Sequence, residues 1–243
     1  MDYKDLQSGQ TKDNFWFKAK NELVEVLMKK ACKGRRQLKI LNLGAGTGED
    51  LDILSAYGRT YVIDIDEAAL SVVDSRLCEE KRVSDACSLP YEDSFFDVVV
   101  SFDVLEHIKN DHKAVSEIHR VLKKGGALVF TVPAFQFLFS SHDKILQHQR
   151  RYCKGSITDL LSQFIDLKIF FWNSLLFWPI ALMRLVKRRS KPQLDHMNLP
   201  GWANALFFHV LKVDNSLIRQ GVSMPVGLTM AGYGFKRKEA SSP

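Results

Sequence analysis

The sequence predicts an α/β fold in which a mostly parallel sheet is covered by helices on both faces. Short apolar runs such as Leu38–Leu43 and Phe96–Phe102 alternate with longer amphipathic stretches. That alternation is typical of parallel strands joined by crossover helices. A glycine-rich turn, Gly44–Gly48, also follows the first apolar run directly, as expected where a strand passes into a helix beside a ligand.

The first half of the chain divides into regular elements. Apolar residues at helical spacing predict a helix over Asp13–Lys30, before the first strand. Turn residues and apolar periodicity then predict, in order, a helix near Glu49–Tyr57, a strand Thr60–Asp64, a helix from Asp66 to about Cys78, a strand around Arg82–Asp85, the strand Phe96–Phe102, a helix Asp111–Leu122 stopped by Gly125-Gly126, and a strand Ala127–Val132.

The alternation weakens after Pro133, where Phe135–Tyr152 is polar and aromatic without a clear period. The remaining predicted elements are a short helix from Ser156 through Gln163, a strand Leu167–Phe171, an apolar stretch Asn173–Lys187, a helix Trp202–Leu217 and a last strand Thr229–Phe235. We therefore expect a single domain over residues 1–243, with a cofactor-binding core over 38–132 and an acceptor-side region over 133–228.

The composition is that of an ordinary globular protein. With 243 residues, 46% of them apolar and 26% charged, the chain can form one large domain with a substantial core. The four cysteines are scattered without a CxxC pair, which favours a reducing, cytoplasmic setting. Residues 1–10 are polar, with no signal peptide, and we expect them to be frayed.

Charge is distributed unevenly along the chain. Residues 1–136 hold 19 Lys/Arg and 22 Asp/Glu, a net charge of −3, whereas residues 137–243 hold 15 and 6, a net charge of +9. An anionic partner is therefore expected on the C-terminal part.

The glycine turn and a later carboxylate predict a nucleoside site. Asp64 ends the second predicted strand about twenty residues after the glycines, where an acid can bind ribose hydroxyls. The dinucleotide fingerprint would place its third glycine at the position of Glu49, and Glu49 with Asp50 would repel a pyrophosphate at a helix N-terminus. The same carboxylates suit an ammonium. This favours S-adenosylmethionine over NAD, and an NAD-dependent oxidoreductase is the alternative.

Several segments together resemble the class I S-adenosylmethionine-dependent methyltransferases, in their small-molecule subgroup. They cover roughly residues 38–132 in the order and spacing of that family: Leu41–Gly48, Val62–Asp66, Asp85-Ala86 before Leu89-Pro90-Tyr91, Phe96–Val100, Asp103–His107 and Ile118–Gly126. The resemblance implies a Rossmann-like sheet of seven strands, the last antiparallel, and a methyl-transferring enzyme. A catalytically silent protein that binds the nucleoside and scaffolds a complex is a further alternative.

The same resemblance implies cofactor contacts. The glycine turn and the end of the fourth strand would face the methionine portion of the cofactor. The end of the second strand would bind the ribose, and the end of the third strand would bind the adenine. The residues concerned are Gly44, Ala45, Gly46 and Gly48; Asp64 and Ile65; Asp85 and Ala86; and Ser101 and Phe102. The competing interpretations are a bare tight turn for the glycines, a helix cap for Asp64 and a turn former for Asp85.

His107 follows the fourth strand, at the carboxyl edge where open α/β sheets bind ligands, and is a candidate general base. Asp103, Glu106 and His107 also resemble a hard-cation site of ubiquinone-type O-methyltransferases. However, Asp103 followed three residues later by Glu106 fits a helix capping box. We favour the cap and expect no metal.

A polar segment after the fifth strand lies where this family inserts its acceptor-binding residues. Arg150 and Arg151 are candidates to clamp a phosphate or carboxylate, and His142 or His148 to act as a base. Tyr152 completes the set of predicted catalytic residues. The acceptor expected here is a small molecule or a lipid- or sugar-linked compound.

Residues 169–191 combine an apolar, aromatic run with the basic cluster Lys187–Lys191. This pattern favours contact with an anionic membrane surface, and with it a peripheral position on the inner membrane. A buried helix or a dimer contact is the alternative. Nucleic acid is not expected as a partner because the basic cluster is short. The sequence does not predict an oligomeric state.

Overall fold

A seven-stranded sheet lies at the centre of the protein, in a computed structural model that describes residues 14–186 and 199–238. Its strands run in the order β3-β2-β1-β4-β5-β7-β6, and β7 is antiparallel to both of its neighbours. The predicted mostly parallel sheet is therefore confirmed. The strands are β1 Leu38–Leu43, β2 Gly58–Asp64, β3 Glu80–Val83, β4 Phe96–Phe102, β5 Leu122–Pro133, β6 Phe164–Trp172 and β7 Thr229–Lys236.

Eight described helices connect and cover these strands. They are α1 Phe15–Cys32, α2 Leu51–Ser55, α3 Glu67–Ser71, α4 Asp111–Val121, α5 Ser141–Ile145, α6 Lys154–Leu160, α7 Phe177–Val186 and α8 Gly201–Arg219. Short 3-10 turns occur at Leu105–His107 and Gln136–Leu138. Helix α1 begins where the side chain of Asn14 accepts a hydrogen bond from the backbone N–H of Trp16, which satisfies one of its unpaired donors.

Alternate residues of the strands point into two separate apolar layers. On β4, Val98 and Val100 pack with α1 and α8, whereas Val99 packs with α4 and α6. Side chains of a strand alternate between faces, so a central strand that is apolar throughout is covered on both sides. The sheet is thus a three-layer arrangement, and its carboxyl edge is left for loops.

Two predicted helices are much shorter than expected. The helix predicted from Asp66 to Cys78 ends at Ser71, because the Asp74 carboxylate accepts from the backbone N–H and the guanidinium of Arg76 and forms a local turn. The helix predicted over Glu49–Tyr57 spans only Leu51–Ser55. Five residues make a weak dipole, and neither Glu49 nor Asp50 lines either of the two cavities described below. The expected contact of these carboxylates with the ammonium of the cofactor is therefore not supported.

The junction between α4 and β5 also differs from the prediction. Gly125-Gly126 does not stop the helix, which ends at Val121 and passes directly into a strand at Leu122. The glycines lie inside β5, where the pairing with β4 shifts register. A Cβ on Gly126 would lie 2.8 Å from the carbonyl oxygen of Lys123, so the backbones approach too closely there for a side chain.

Some sequence predictions lie outside the described residues. These are the frayed start over residues 1–10 and the basic cluster Lys187–Lys191. The division into a core over 38–132 and an acceptor-side region over 133–228 stays a prediction.

Candidate active site

The glycine turn and Asp64 form one hydrogen-bonded unit at the carboxyl edge of the sheet. The backbone N–H of Gly46 donates to Asp64 Oδ2 at 2.8 Å, and that of Asp66 donates to Oδ1 at 2.9 Å. Both carboxylate oxygens are thereby oriented, and each keeps lone pairs that can accept ribose hydroxyls. Gly44 adopts a φ of +67°, and a Cβ there would lie 2.5 Å from a methyl of Val104. Only glycine fits this position.

A cavity of about 620 Å³ opens beside this unit, and we call it the cofactor cavity. Its volume falls within the roughly 300–1,000 Å³ of small-molecule sites. Among the predicted cofactor residues, those lining it are Gly44, Gly46, Asp64, Ile65, Asp85 and Ala86. Asp85 also accepts from the backbone N–H of Cys87 at 2.8 Å, so it both forms a turn and faces the cavity.

The other four predicted cofactor residues lie next to this cavity without lining it. Ala45 and Gly48 belong to the same turn, whereas Ser101 and Phe102 are buried in β4. Asp103, the next residue along the chain, does line the cavity. Asp103 has a φ of +54°, a left-handed conformation that turns the chain at the end of β4.

Asp103 is held by a lysine that the sequence patterns do not single out. The Lys20 ammonium on α1 forms an ion pair with the Asp103 carboxylate, and the Thr131 hydroxyl donates to it at 3.0 Å. Burial alone would raise the pKa of Asp103, but Lys20 and Thr131 more than offset it and hold that pKa well below its usual range. The one feature of the sequence that could have indicated this ion pair is the position of Lys20, a cation on the apolar side of α1. Its side chain is 1% exposed in the structure.

The predicted capping box does not form. The 3-10 turn Leu105–His107 is preceded by Val104 without a side-chain cap, and Asp103 faces Lys20 instead. Glu106 is fully buried, and neither of its carboxylate oxygens has a hydrogen-bond partner among the described residues. Burial, followed by the nearby Asp103 carboxylate, raises the pKa of Glu106 well above its usual value. The cap interpretation of Asp103 and Glu106 is therefore wrong.

A second cavity of about 180 Å³ adjoins the first at Asp103, which lines both, and we call it the acceptor cavity. It is enclosed by the start of α1, the segment after β5, and α7. Its polar lining includes Asp103, Glu106, His142, His148, Arg151, Asn173 and Arg184. Apolar lining comes mainly from Phe15, Trp16, Phe17, Ile180 and Met183.

A buried carboxylate orients His148 toward this cavity. Asp143 Oδ1 lies 2.9 Å from His148 Nδ1 and accepts from Arg151 Nε at 2.7 Å, while Oδ2 accepts from the backbone N–H of Ser140 at 2.8 Å. The rings of His148 and His107 are 4.7 Å apart and nearly perpendicular. His107 lines the cofactor cavity, so the two histidines stand on either side of the junction.

The predicted arginine clamp is not formed. Arg150 pairs with Asp111 at 2.7 Å and donates to the carbonyl of Lys109, whereas Arg151 pairs with Asp143. Tyr152 is buried, and its hydroxyl donates toward the Asp111 carboxylate at 2.9 Å. Burial, followed by Asp111, raises the pKa of Tyr152. Arg150 and Tyr152 therefore support the fold of this segment, and neither lines the acceptor cavity.

Three side chains near the junction have the chemistry of metal ligands. Glu106, His107 and His148 each offer one ligand atom, and these atoms lie within 4.8 Å of one another. The Asp143 carboxylate on the far ring nitrogen of His148 is the kind of outer partner that orients a ligating histidine. Against the expectation of no metal, these residues are candidates to hold a cation.

Comparisons with known proteins agree with this geometry. Residues 41–130 match a family described as a methyltransferase domain. A probable S-adenosylmethionine-dependent methyltransferase of Mycolicibacterium smegmatis is 31% identical over 63% of this chain and 60% of its own. A demethylmenaquinone methyltransferase of Clavibacter sepedonicus is 29% identical over 69% and 71%. The chain spans about 60% of the length of the first curated relatives it matches.

A solved structure shows the same fold. Phosphoethanolamine N-methyltransferase 2 of Haemonchus contortus, in complex with S-adenosylmethionine, superposes with a TM-score of 0.59 at 20% identity, over 87% of this chain and 51% of that one. Residues 41–130 of this chain therefore match a methyltransferase domain, and the chain is similar in sequence to S-adenosylmethionine-dependent methyltransferases.

Proposed function

We propose that the protein transfers the methyl group of S-adenosylmethionine to a small-molecule or lipid- or sugar-linked acceptor. The observation that carries the proposal is the junction of the two cavities at Asp103, with His107 on one side and His148 on the other. Methyl transfer is an in-line displacement at a reactive sulfonium, so catalysis depends mostly on positioning. Well-oriented reactants can gain roughly 7–11 kcal/mol in this way.

The residues of the cofactor cavity receive the roles that the family suggests. The Asp64 carboxylate binds the ribose hydroxyls, and Asp85 with the backbone of Ala86 binds the adenine. The glycine turn and the backbone near Ser101 and Phe102 accommodate the methionine portion. The orientation of both Asp64 oxygens by backbone N–H groups supports the first of these roles.

On the acceptor side we propose His148 as the general base. Its Nδ1 lies against the buried Asp143 carboxylate, which favours the tautomer that carries its proton there and directs Nε2 away from Asp143. This is how a carboxylate orients an imidazole base in hydrolases. Arg151 is a positioning residue, since it acts through Asp143. His107 and His142 are the competing bases, and both line a cavity.

We also propose a cytoplasmic protein that associates peripherally with an anionic membrane surface. Within residues 14–186 and 199–238, no helix has both the length and the apolar character needed to cross a bilayer. By its name, the Clavibacter sepedonicus relative acts on demethylmenaquinone. The apolar run and basic cluster in the sequence of residues 169–191 are what support a peripheral position.

Calorimetry with S-adenosylmethionine and with NAD, on the wild-type protein and on Asp64→Asn, tests the cofactor. We expect S-adenosylmethionine alone to bind, and Asp64→Asn to weaken binding by about 10–100-fold, since hydrogen bonds to a charged group contribute roughly 1.5–3 kcal/mol. Asp52→Asn, an exposed carboxylate on α2, is the matched control. Binding of NAD alone would favour the oxidoreductase alternative.

Transfer itself is tested with methyl-labelled cofactor and a cell lysate, with lipid and aqueous fractions counted separately. We expect label in one fraction together with release of S-adenosylhomocysteine. Cofactor binding without any turnover would instead favour the catalytically silent scaffold.

A further inference from the structure

Two buried side chains of the acceptor cavity carry oxygen atoms that have no hydrogen-bond partner among the described residues. They are Glu106, which is fully buried, and Asn173, which is 4% exposed, and both line this cavity. The atoms concerned are Oε1 and Oε2 of Glu106 and Oδ1 of Asn173. An unpaired buried acceptor is costly, so such atoms at a cavity wall indicate a ligand that pairs with them.

The backbone at Asn173 is held in place without the use of its carboxamide. Asn173 directly follows β6 and has a φ of +58°, a left-handed conformation that asparagine tolerates. Helix α8 fixes this turn, because Asp214 Oδ2 accepts from the backbone N–H of Ser174 at 2.6 Å. The side chain of Asn215 also accepts from Trp172 Nε1 at 2.8 Å. The fold of the turn therefore depends on α8, and the carboxamide of Asn173 is left to face the cavity.

Glu106 reaches the same cavity from another strand end. It lies in the 3-10 turn that follows β4, whereas Asn173 follows β6. These two strands run in the same direction, because β5 is parallel to β4 and β7 is antiparallel to both β5 and β6. Their carboxyl ends share one edge of the sheet, and the topology thus brings two oxygen acceptors to one cavity.

The chemistry of these atoms selects the head group that pairs with them. A carboxamide oxygen accepts hydrogen bonds, and a carboxyl group keeps at least one accepting oxygen whether or not it holds a proton. A head with O–H or N–H donors satisfies both Glu106 and Asn173. A head that offers only carbonyl, carboxylate or phosphate oxygens would place acceptors against acceptors.

The arginines of the cavity wall lie against a different group. Arg151 Nε donates to Asp143 Oδ1 at 2.7 Å, and Arg184 Nη1 lies 3.9 Å from Asp143 Oδ2. An anionic head attracted to these guanidinium groups is the competing chemistry. It would leave the oxygens of Glu106 and Asn173 unpaired, so the observations favour a donor head.

We infer that Glu106 and Asn173 form a subsite for the head of the acceptor, and that this head is an alcohol or amine with at least two O–H or N–H donors. The inference rests on the proposed methyl transfer and names its substrate class. Asn173 Oδ1 and one Glu106 oxygen each accept a hydrogen bond from the head and orient it at the junction with the cofactor cavity. The apolar part of the acceptor packs against Phe15, Trp16 and Phe17.

Binding of small probes to the full chain with bound S-adenosylhomocysteine tests the class of head group. Ligand-observed NMR compares phenylpropanediol with its dimethyl ether and with phenylpropanoate. We expect the diol to bind at least about tenfold more tightly than either of the others. Asn173→Gly removes the carboxamide while keeping the left-handed backbone unstrained, and should remove most of this preference. Asp166→Gly, an exposed residue of β6 with a φ of +51°, is the matched control.

Transfer of label over a dilution series of lysate measures the half-saturating concentration of the natural acceptor. Asn173→Gly should raise it at least about fivefold with normal affinity for S-adenosylmethionine, whereas Asn173→Asp keeps an accepting oxygen and should stay within about threefold. Glu106→Gln also keeps an accepting oxygen and should stay within about threefold. Glu106→Leu removes both oxygens and should raise the concentration at least about tenfold.

The outcomes separate the subsite from the proposed function. Equal binding of the diol and its ether, tighter binding of phenylpropanoate, or an unchanged preference in Asn173→Gly would overturn the inference. A Glu106→Gln variant as impaired as Glu106→Leu would also overturn it, since Glu106 would then act by its charge, as a ligand of a cation with His107 and His148. Preference for the diol in a protein that transfers no label would sink the proposed function and leave the subsite intact.

Discussion

The ammonium of Lys20 is buried against the carboxylate of Asp103, and this ion pair joins the first helix to the junction of the two cavities. The Lys20 side chain is 1% exposed and the Asp103 side chain 18%, so the ammonium is almost fully removed from water and the carboxylate largely so. Burial lowers the pKa of Lys20, but the carboxylates of Asp103 and Asp50 offset this and raise it above its ordinary value. The pair therefore fixes both the position of α1 and the charge of the site.

Lys20→Met is expected to lower the free energy of unfolding by about 3–5 kcal/mol, because it leaves the Asp103 carboxylate buried without its cation. Urea unfolding followed by circular dichroism measures this. Lys18→Met, an exposed position on the same helix, should change stability by less than about 0.5 kcal/mol. The double variant Lys20→Met/Asp103→Asn should recover most of the loss, since asparagine removes the charge and tolerates the left-handed conformation of Asp103. If it were as unstable as Lys20→Met, the pair would not be the cause.

Glu106→Gln is expected to change how stability depends on pH. The folded state raises the pKa of Glu106, so the folded chain holds a proton that the unfolded chain releases near pH 4.5. Stability from this group is complete below that value and falls as pH rises toward the folded pKa. Thermal unfolding between pH 5 and 8 should therefore show a smaller decline in Glu106→Gln than in the wild type. Equal slopes in the two proteins would contradict a protonated Glu106.

Gly44→Ala is expected to weaken S-adenosylmethionine binding at least tenfold, because the new Cβ would lie 2.5 Å from a methyl of Val104 at the cavity wall. Gly34→Ala is the control, since Gly34 has a φ of +81° and a Cβ added there would have no neighbouring atom within 4 Å. Both variants carry the strain of a left-handed alanine, about 1–2 kcal/mol, and only Gly44→Ala adds the clash. Calorimetry should show normal cofactor affinity in Gly34→Ala. Similar affinities of the two variants for S-adenosylmethionine would contradict a steric role of Gly44.

The cofactor side of the site can be predicted from the sequence because it is encoded locally. The glycine turn and Asp64 are about twenty residues apart and are joined by one strand–helix–strand unit, so their spacing alone indicates their contact. Lys20 and Asp103 are 83 positions apart, and no pattern in the sequence relates them. The packing of α1 on the sheet is what brings them together. That same packing overrides the local capping pattern of Asp103 and Glu106.

The acceptor side is only partly predictable for a related reason. The polar segment after β5 is evident in the sequence, but which of its side chains face the cavity depends on the partners each one finds. Arg150 forms an ion pair with Asp111, whereas Arg151 forms one with Asp143, so the two adjacent guanidinium groups bind different carboxylates. The sequence places His142 among the predicted catalytic residues and offers His148 as an alternative base, whereas the contact with Asp143 favours His148.

Tyr152→Phe is expected to reduce the free energy of unfolding by about 1–2 kcal/mol. It removes the buried hydroxyl that donates hydrogen bonds to the carbonyl of Leu105 and the carboxylate of Asp111. Methyl transfer should stay within about threefold of wild type, because the hydroxyl lines neither cavity. The two measurements, urea unfolding and label transfer to lysate, distinguish a structural tyrosine from a catalytic one. A large loss of rate at unchanged stability would restore the catalytic assignment of Tyr152.

His148→Gln is expected to lower the rate of methyl transfer by about 10²–10⁴-fold while S-adenosylmethionine binds normally, because a general base contributes about that much. Label transfer from the cofactor into lysate, over a range of pH, is the measurement. His112→Gln, an exposed histidine on α4, should leave the rate unchanged. Asp143→Asn should also lower the rate, since the imidazole loses the carboxylate that orients it. If His107→Gln abolished transfer and His148→Gln did not, the base would lie on the cofactor side of the junction.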